Sequence, residues 1–159
     1  MMRTLPASSK EALRSIKILF YILFIGVVLS TAIVFILIQM EGPLLQDKSL
    51  KRGFLVVTLF LAAALLSVSN ILYKKRLNTA GPALPLLQKL EIYRAALVLY
   101  MGLCEAAAIL TVIAFYMTGN FLFLVIIAAI LVSMLMRRPE NFKIFNELQL
   151  DSKEQMELS

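Results

Sequence analysis

The chain alternates between long apolar stretches and short polar ones. Apolar runs occupy residues 18–40, 53–73, 95–117 and 121–136, and nearly all the charge lies between and after them. A helix needs about 20 apolar residues, roughly 17–25, to cross the hydrocarbon core of a bilayer. The first three runs meet that length outright. The fourth, FLFLVIIAAILVSMLM, is slightly short, and Asn120 on one side with Arg137 and Arg138 on the other extend it into the headgroups. The pattern predicts an all-α polytopic membrane protein with four transmembrane helices, over about 18–40, 53–73, 90–117 and 120–136. Residues 1–17 form an arm before this 18–136 domain, and residues 137–159 a tail after it.

The polar links carry their own signals. Ser8 or Ser9 caps a helical turn in the arm, with Arg14 and Lys17 along the headgroups. The first apolar run outlasts the roughly 7–15 residues of a signal peptide and no small-x-small site follows it, so it reads as a retained helix. The link EGPLLQDKSLKR breaks at Gly42-Pro43 and offers a cap at Asp47 or Ser49. In LNTAGPALPLLQKLEIYR the turn falls at Gly81-Pro82. Pro85 suits the first residue of a helix that groups Leu86, Leu87 and Leu90 on one side. The short MTGN turn makes helices three and four antiparallel neighbours. In the tail, Phe142, Phe145 and Leu148 recur at helical spacing among polar residues, the pattern of a short amphipathic helix lying on a surface. Asp151 with Glu154 makes a start resembling a capping box. The two halves show no internal repeat, so the sequence gives no support to an inverted-repeat transporter.

Composition agrees with the pattern. The chain is 60% hydrophobic, against about 45–50% for a soluble domain, and its mean hydropathy is +0.86. A net charge of +6 would suit nucleic acid, but the distribution points to topology instead. Thirteen of the sixteen basic residues lie in the arm, between helices two and three, or after helix four. The positive-inside rule then sets both termini and the middle loop in the cytoplasm. The clusters Lys74, Lys75, Arg76 and Arg137, Arg138 act first as topology determinants and second as contacts for anionic lipid headgroups. The expected partners are the bilayer, a second copy or another membrane subunit, and no nucleic acid.

Candidate chemistry is sparse. The chain has no histidine and a single cysteine, Cys104, which excludes a cysteine metal site and the commonest general base. No metal or cofactor is expected. Cys104 reads as a small apolar filler, and the SVSN cluster of helix two as a hydrogen-bonding seam between helices. The exception is Glu105, the only formal charge inside any apolar run. It stands eleven residues beyond Arg94, about 16 Å along a helix and roughly half the hydrocarbon thickness. An acid at that depth costs on the order of 2.5–3.5 kcal/mol to insert, and such groups usually face the bundle interior or water. Burial favours a neutral carboxylic acid, which can donate a hydrogen bond to another helix. By depth, Ser30 and Thr31 are its expected partners, with Asn70, Glu91 and Arg94 at the cytoplasmic mouth. Gly102 and Ala106 make a small-xxx-small step beside it, which lets a neighbouring backbone close in and makes helix three the expected packing centre.

Two resemblances follow from these residues. The stretch ALVLYMGLCEAAAILTVIAFYM resembles the carboxylate-bearing helix of the rotary ATP synthase proteolipid, subunit c, in which an acid follows small residues at mid-membrane. The glycine-rich partner helix of that family has no counterpart in this chain, so the proton-translocating role does not carry over. A longer stretch, residues 73–158, combines YKK, Arg94 and Ala96 as R-x-A, CEAAAI, a TGN turn and RRPENFKIFNELQLDSKE. It resembles uncharacterised four-helix membrane proteins of Bacteroidota-type bacteria, which implies a bacterial inner (plasma) membrane location. Together these readings favour a non-enzymatic accessory, assembly or structural subunit, or a homo-oligomer, in which Glu105 anchors helix packing. The alternative is a small proton- or cation-coupled transporter with Glu105 as the carrier.

Overall fold

The computed structural model describes residues 9–45, 47–81, 84–152 and 155–156. Among them every regular element is a helix: α1 (Ser9–Glu41), α2 (Lys48–Leu77), α3 (Leu86–Thr118), α4 (Leu122–Met136) and α5 (Asn141–Glu147). Helices α1, α2 and α3 are each long and apolar enough to cross a membrane. Helix α4 has 15 residues, about 22 Å at 1.5 Å per residue, and reaches spanning length only together with α5, from which it is bent by 73°. The chain thus carries three to four candidate spans. Arg3 and Ser8 of the arm, Pro82 of the middle turn, and Lys153 and Glu154 of the tail lie outside the described residues.

Local chemistry sets the ends of each helix. From Ser9 onward the arm and the first apolar run form one continuous helix, with no break before Ile18. Asp47 caps α2, its carboxylate accepting from the Ser49 N–H at 2.7 Å. Pro85 stands just outside α3 at φ −57°, ψ 147°, so it caps the helix and Leu86 is the first helical residue. Gly119 ends α3 in the left-handed region at φ 63°, its N–H bonded to the Phe115 carbonyl at 2.8 Å. A Cβ there would come within 2.8 Å of Pro43 Cβ, because the link after α1 lies against the α3–α4 turn. Leu45 N–H donates to the Met117 carbonyl at 2.8 Å at the same place. Asn120 Oδ1 accepts from Leu122 N–H and starts α4, and Pro139 follows its end.

Helix α3 is the centre of the bundle, packing against α1, α2 and α4. Half of its most apolar window is buried, against 6% for α1 and 17% for α2. Tyr93, Leu97, Tyr100, Met101 and Cys104 of α3 share one core with Phe20 and Val27 of α1, Tyr73 of α2, and Ile127 and Ile130 of α4. Each of α1 and α2 meets the rest of the bundle chiefly through α3. Contacts fix the helix directions. Lys17, Tyr73, Tyr93 and Arg137 gather at one end, called here the basic end. Glu41, Pro43, Tyr116 and Gly119 gather at the other.

The tail departs from its sequence reading in one respect. The buried stripe of α5 is Ile144, continued by Leu148, with Phe145 partly buried, while Phe142 is 72% exposed. Ile144 and Leu148 are four residues apart and stack on one face, whereas Phe142 stands two residues from Ile144, nearly opposite around the helix. Their burial joins α5 to the main core of the bundle.

Candidate functional site

Glu105 stands nineteen residues into α3, about 28 Å from its start and about 20 Å from its end. Across the seam lies Gly26 of α1, at nearly the same depth in its own helix. Glu105 Oε1 is 3.8 Å from where a Cβ on Gly26 would sit. That is ordinary van der Waals distance, so the carboxyl group lies directly against the α1 backbone at Gly26. Glu105 is partly exposed, and both Gly26 and Gly102, one turn before it, are exposed on the outside of the bundle. Gly102 has open space above it, with nothing within 4 Å of an added Cβ.

Neither hydroxyl expected to meet Glu105 does so. Ser30 Oγ donates to the Val27 carbonyl at 3.0 Å and Thr31 Oγ1 to the same carbonyl at 2.8 Å, so both are turned back onto their own helix. Thr111, the next polar residue along α3, is buried and donates to the Ala107 carbonyl at 2.7 Å. Among the described residues the Glu105 carboxyl group makes no hydrogen bond and no ion pair. A side-chain acid deep in an apolar helix, open outward and unpartnered inward, is the chemical singularity of this chain.

The basic end is built in the opposite way. Arg137 Nη1 lies 3.1 Å from Glu147 Oε1, and Arg137 Nη2 donates to Asn70 Oδ1 at 3.3 Å. Tyr73 donates its hydroxyl proton to the other Glu147 oxygen. The guanidinium lies over the Tyr73 ring, 4.6 Å from its centroid, and 5.9 Å from that of Tyr100. Tyr73 makes edge-on contacts with Tyr93 and Tyr100, and Tyr100 donates to the Ser133 carbonyl at 3.0 Å. Helices α2, α3, α4 and α5 all contribute, so the cluster joins the tail to the bundle.

The remaining candidates are dispersed. Lys74, Lys75 and Arg76 are exposed in the last turn of α2, where cations suit the helix dipole. Glu91 is exposed and Arg94 partly exposed on α3, and no hydrogen bond joins either to Asn70, which instead bonds Arg137 and the Leu66 carbonyl. Arg138 is exposed, 5.8 Å above the Tyr21 ring. Cys104 is buried, its Sγ 4.0 Å from Ser69 Oγ. Among the described residues no three His, Cys, Asp or Glu side chains gather as metal ligands do.

Sequence reasoning took Arg137 for a headgroup contact and did not single out Glu147 at all. The available signal was the pairing of a cation just before Pro139 with an acid ten residues later, beyond a sharp bend. No family model, curated protein or solved structure matches the chain. The functional reading therefore rests on the geometry of these side chains.

Proposed function

We propose that the chain is a four-helix membrane protein with both termini in the cytoplasm, acting as a non-catalytic assembly or structural component that self-associates or joins another membrane subunit through the seam around Glu105. The observation that carries this reading is the carboxyl group itself, unpartnered among the described residues and partly exposed beside Gly26 and Gly102. Polar groups inside a bilayer find partners, and glycines beside one allow a second helix to approach closely. The resemblance to bacterial four-helix proteins supports a place in a bacterial inner membrane, and the charge distribution supports the orientation.

A carrier role needs water or polar groups that reach Glu105 from both ends. Ser30, Thr31 and Thr111 are each turned onto their own helices, which favours the assembly reading. Single-molecule photobleaching of the protein in lipid vesicles tests it. The wild type is expected to bleach in two or more steps, and Glu105→Leu and Gly102→Leu in one. Single-step bleaching of the wild type, with no co-purifying subunit, would sink the proposal. Proton flux in the same vesicles that vanishes in Glu105→Gln would move the chain to the carrier class.

A further inference from the structure

A second feature lies on the other side of α1, at the basic end. Lys17, Tyr21, Arg138, Pro139, Glu140 and Asn141 enclose a cleft of about 240 Å³ between α1 and the α4–α5 bend. Lys17 Nζ donates to Asn141 Oδ1 at 2.8 Å, which fixes the ammonium at the cleft wall and leaves two of its protons free. Arg138 stands over the Tyr21 ring with its guanidinium exposed. Among the described residues neither cation is matched by a carboxylate. The contrast with the adjacent Arg137, which is paired with Glu147, is one of residue placement across a single peptide bond. Glu140 lines the same cleft and opposes an anion, so two cations face one acid there.

The surroundings say what sort of anion fits. Lys17 immediately precedes the apolar run of α1, and Arg138 follows closely on that of α4, so in a bilayer the cleft lies at headgroup depth. Along the two helices away from the cleft, Ile18, Ile22 and Ile25 follow Lys17 on α1, and Leu135 and Met136 precede Arg138 on α4, and all five are exposed. A soluble anion would use only the top of this surface. A molecule carrying a phosphate above and acyl chains below would use all of it.

We infer that this cleft is a binding site for the phosphodiester of an anionic phospholipid, held by Lys17 and Arg138, with the Tyr21 hydroxyl at its edge and the acyl chains along α1 and α4. The inference rests on the membrane-spanning part of the proposed function and is independent of the assembly seam at Glu105.

Full-length protein in detergent micelles, doped separately with phosphatidylglycerol, with phosphatidylcholine or with inorganic phosphate, tests it by native mass spectrometry and thermal melting. Wild type is expected to retain phosphatidylglycerol and melt higher with it, and to gain little from the other two. Lys17→Gln with Arg138→Gln is expected to weaken that retention by about tenfold or more, as two lost interfacial cations predict. Lys48→Gln with Arg52→Gln removes two exposed cations outside the cleft and is expected to leave retention near wild type. Arg138→Gln alone covers the case in which loss of the Lys17–Asn141 bond loosens the fold. Equal weakening by both double variants would overturn the site in favour of a diffuse basic surface. Stabilisation by inorganic phosphate as large as by the lipid would assign the cleft to a soluble anion. Failure of the chain to sediment with membranes would defeat the spanning reading itself, and monomeric wild type that still retains the lipid would defeat only the assembly reading.

Discussion

Glu147 and Glu105 are both carboxylates packed against the bundle, and they are treated in opposite ways. Glu147 receives the Tyr73 hydroxyl and the Arg137 guanidinium, and that guanidinium in turn bonds Asn70 and covers an aromatic ring. Among the described residues Glu105 receives nothing, although Ser30 and Thr31 lie only a turn beyond the glycine it faces. The first acid is an internal fastening between a tail and a bundle. The second is an unfilled valence. The difference shows how a lone charge should be interpreted: the burial of a charge matters less than whether its partners belong to the same molecule.

The largest effect should come from splitting the fastened pair. Arg137→Ala leaves the Glu147 carboxylate partly buried with only Tyr73 to satisfy it. A fully buried orphan of this kind costs about 3–5 kcal/mol, and the quarter exposure of both side chains lowers that to about 2–3 kcal/mol. Thermal melting in detergent should register the loss. Arg137→Met with Glu147→Leu together should recover most of it, since two apolar groups leave no charge unmatched. A double variant no better than the single one would show that the cluster works through Arg137 and its other contacts, rather than through the ion pair.

A smaller loss tests the far end, where among the described residues no charge pair closes the fold. Gly119→Ala places a Cβ at 2.8 Å from Pro43 in a left-handed conformation, and should cost about 1–2 kcal/mol. Tyr73→Phe, which deletes one hydrogen bond to Glu147 while keeping the ring under Arg137, should cost about 1 kcal/mol. If Tyr73→Phe costs as much as Arg137→Ala, the hydroxyl rather than the guanidinium is the main support of Glu147.

Much of this architecture is legible in the sequence. The three to four candidate spans among the described residues follow from run length, because lipid admits few other ways to satisfy a backbone. The Asp47 cap and the Gly119 turn follow from residue types with narrow local roles. The singularity of Glu105 was equally plain, because nothing else in the apolar runs is charged. What stayed hidden depended on rotation and folding back. Ser30 and Thr31 had the right depth, but a hydroxyl in a helix can reach the carbonyl a turn behind, and hydropathy says nothing of that choice. Arg137 and Arg138 look equivalent in sequence. The bend at Pro139 separates them, sending one inward to Glu147 and the other outward over Tyr21.

The smallest expected change in stability is at Glu105 itself, and its smallness is what gives it meaning. Glu105→Leu removes a side chain that holds no bond among the described residues, so a singly dispersed monomer should melt within about 0.5 kcal/mol of wild type, or slightly higher. On the assembly reading, the same substitution should abolish association in lipid. An anchor between helices of one bundle would behave the other way, losing stability in the monomer and leaving the stoichiometry alone. Melting dispersed monomer and counting subunits in vesicles, on one variant, therefore separates an acid that holds this bundle together from one that joins it to the next. A large loss in the dispersed monomer would place the partner of Glu105 inside the chain after all, and would make it a fastening of the same kind as Glu147.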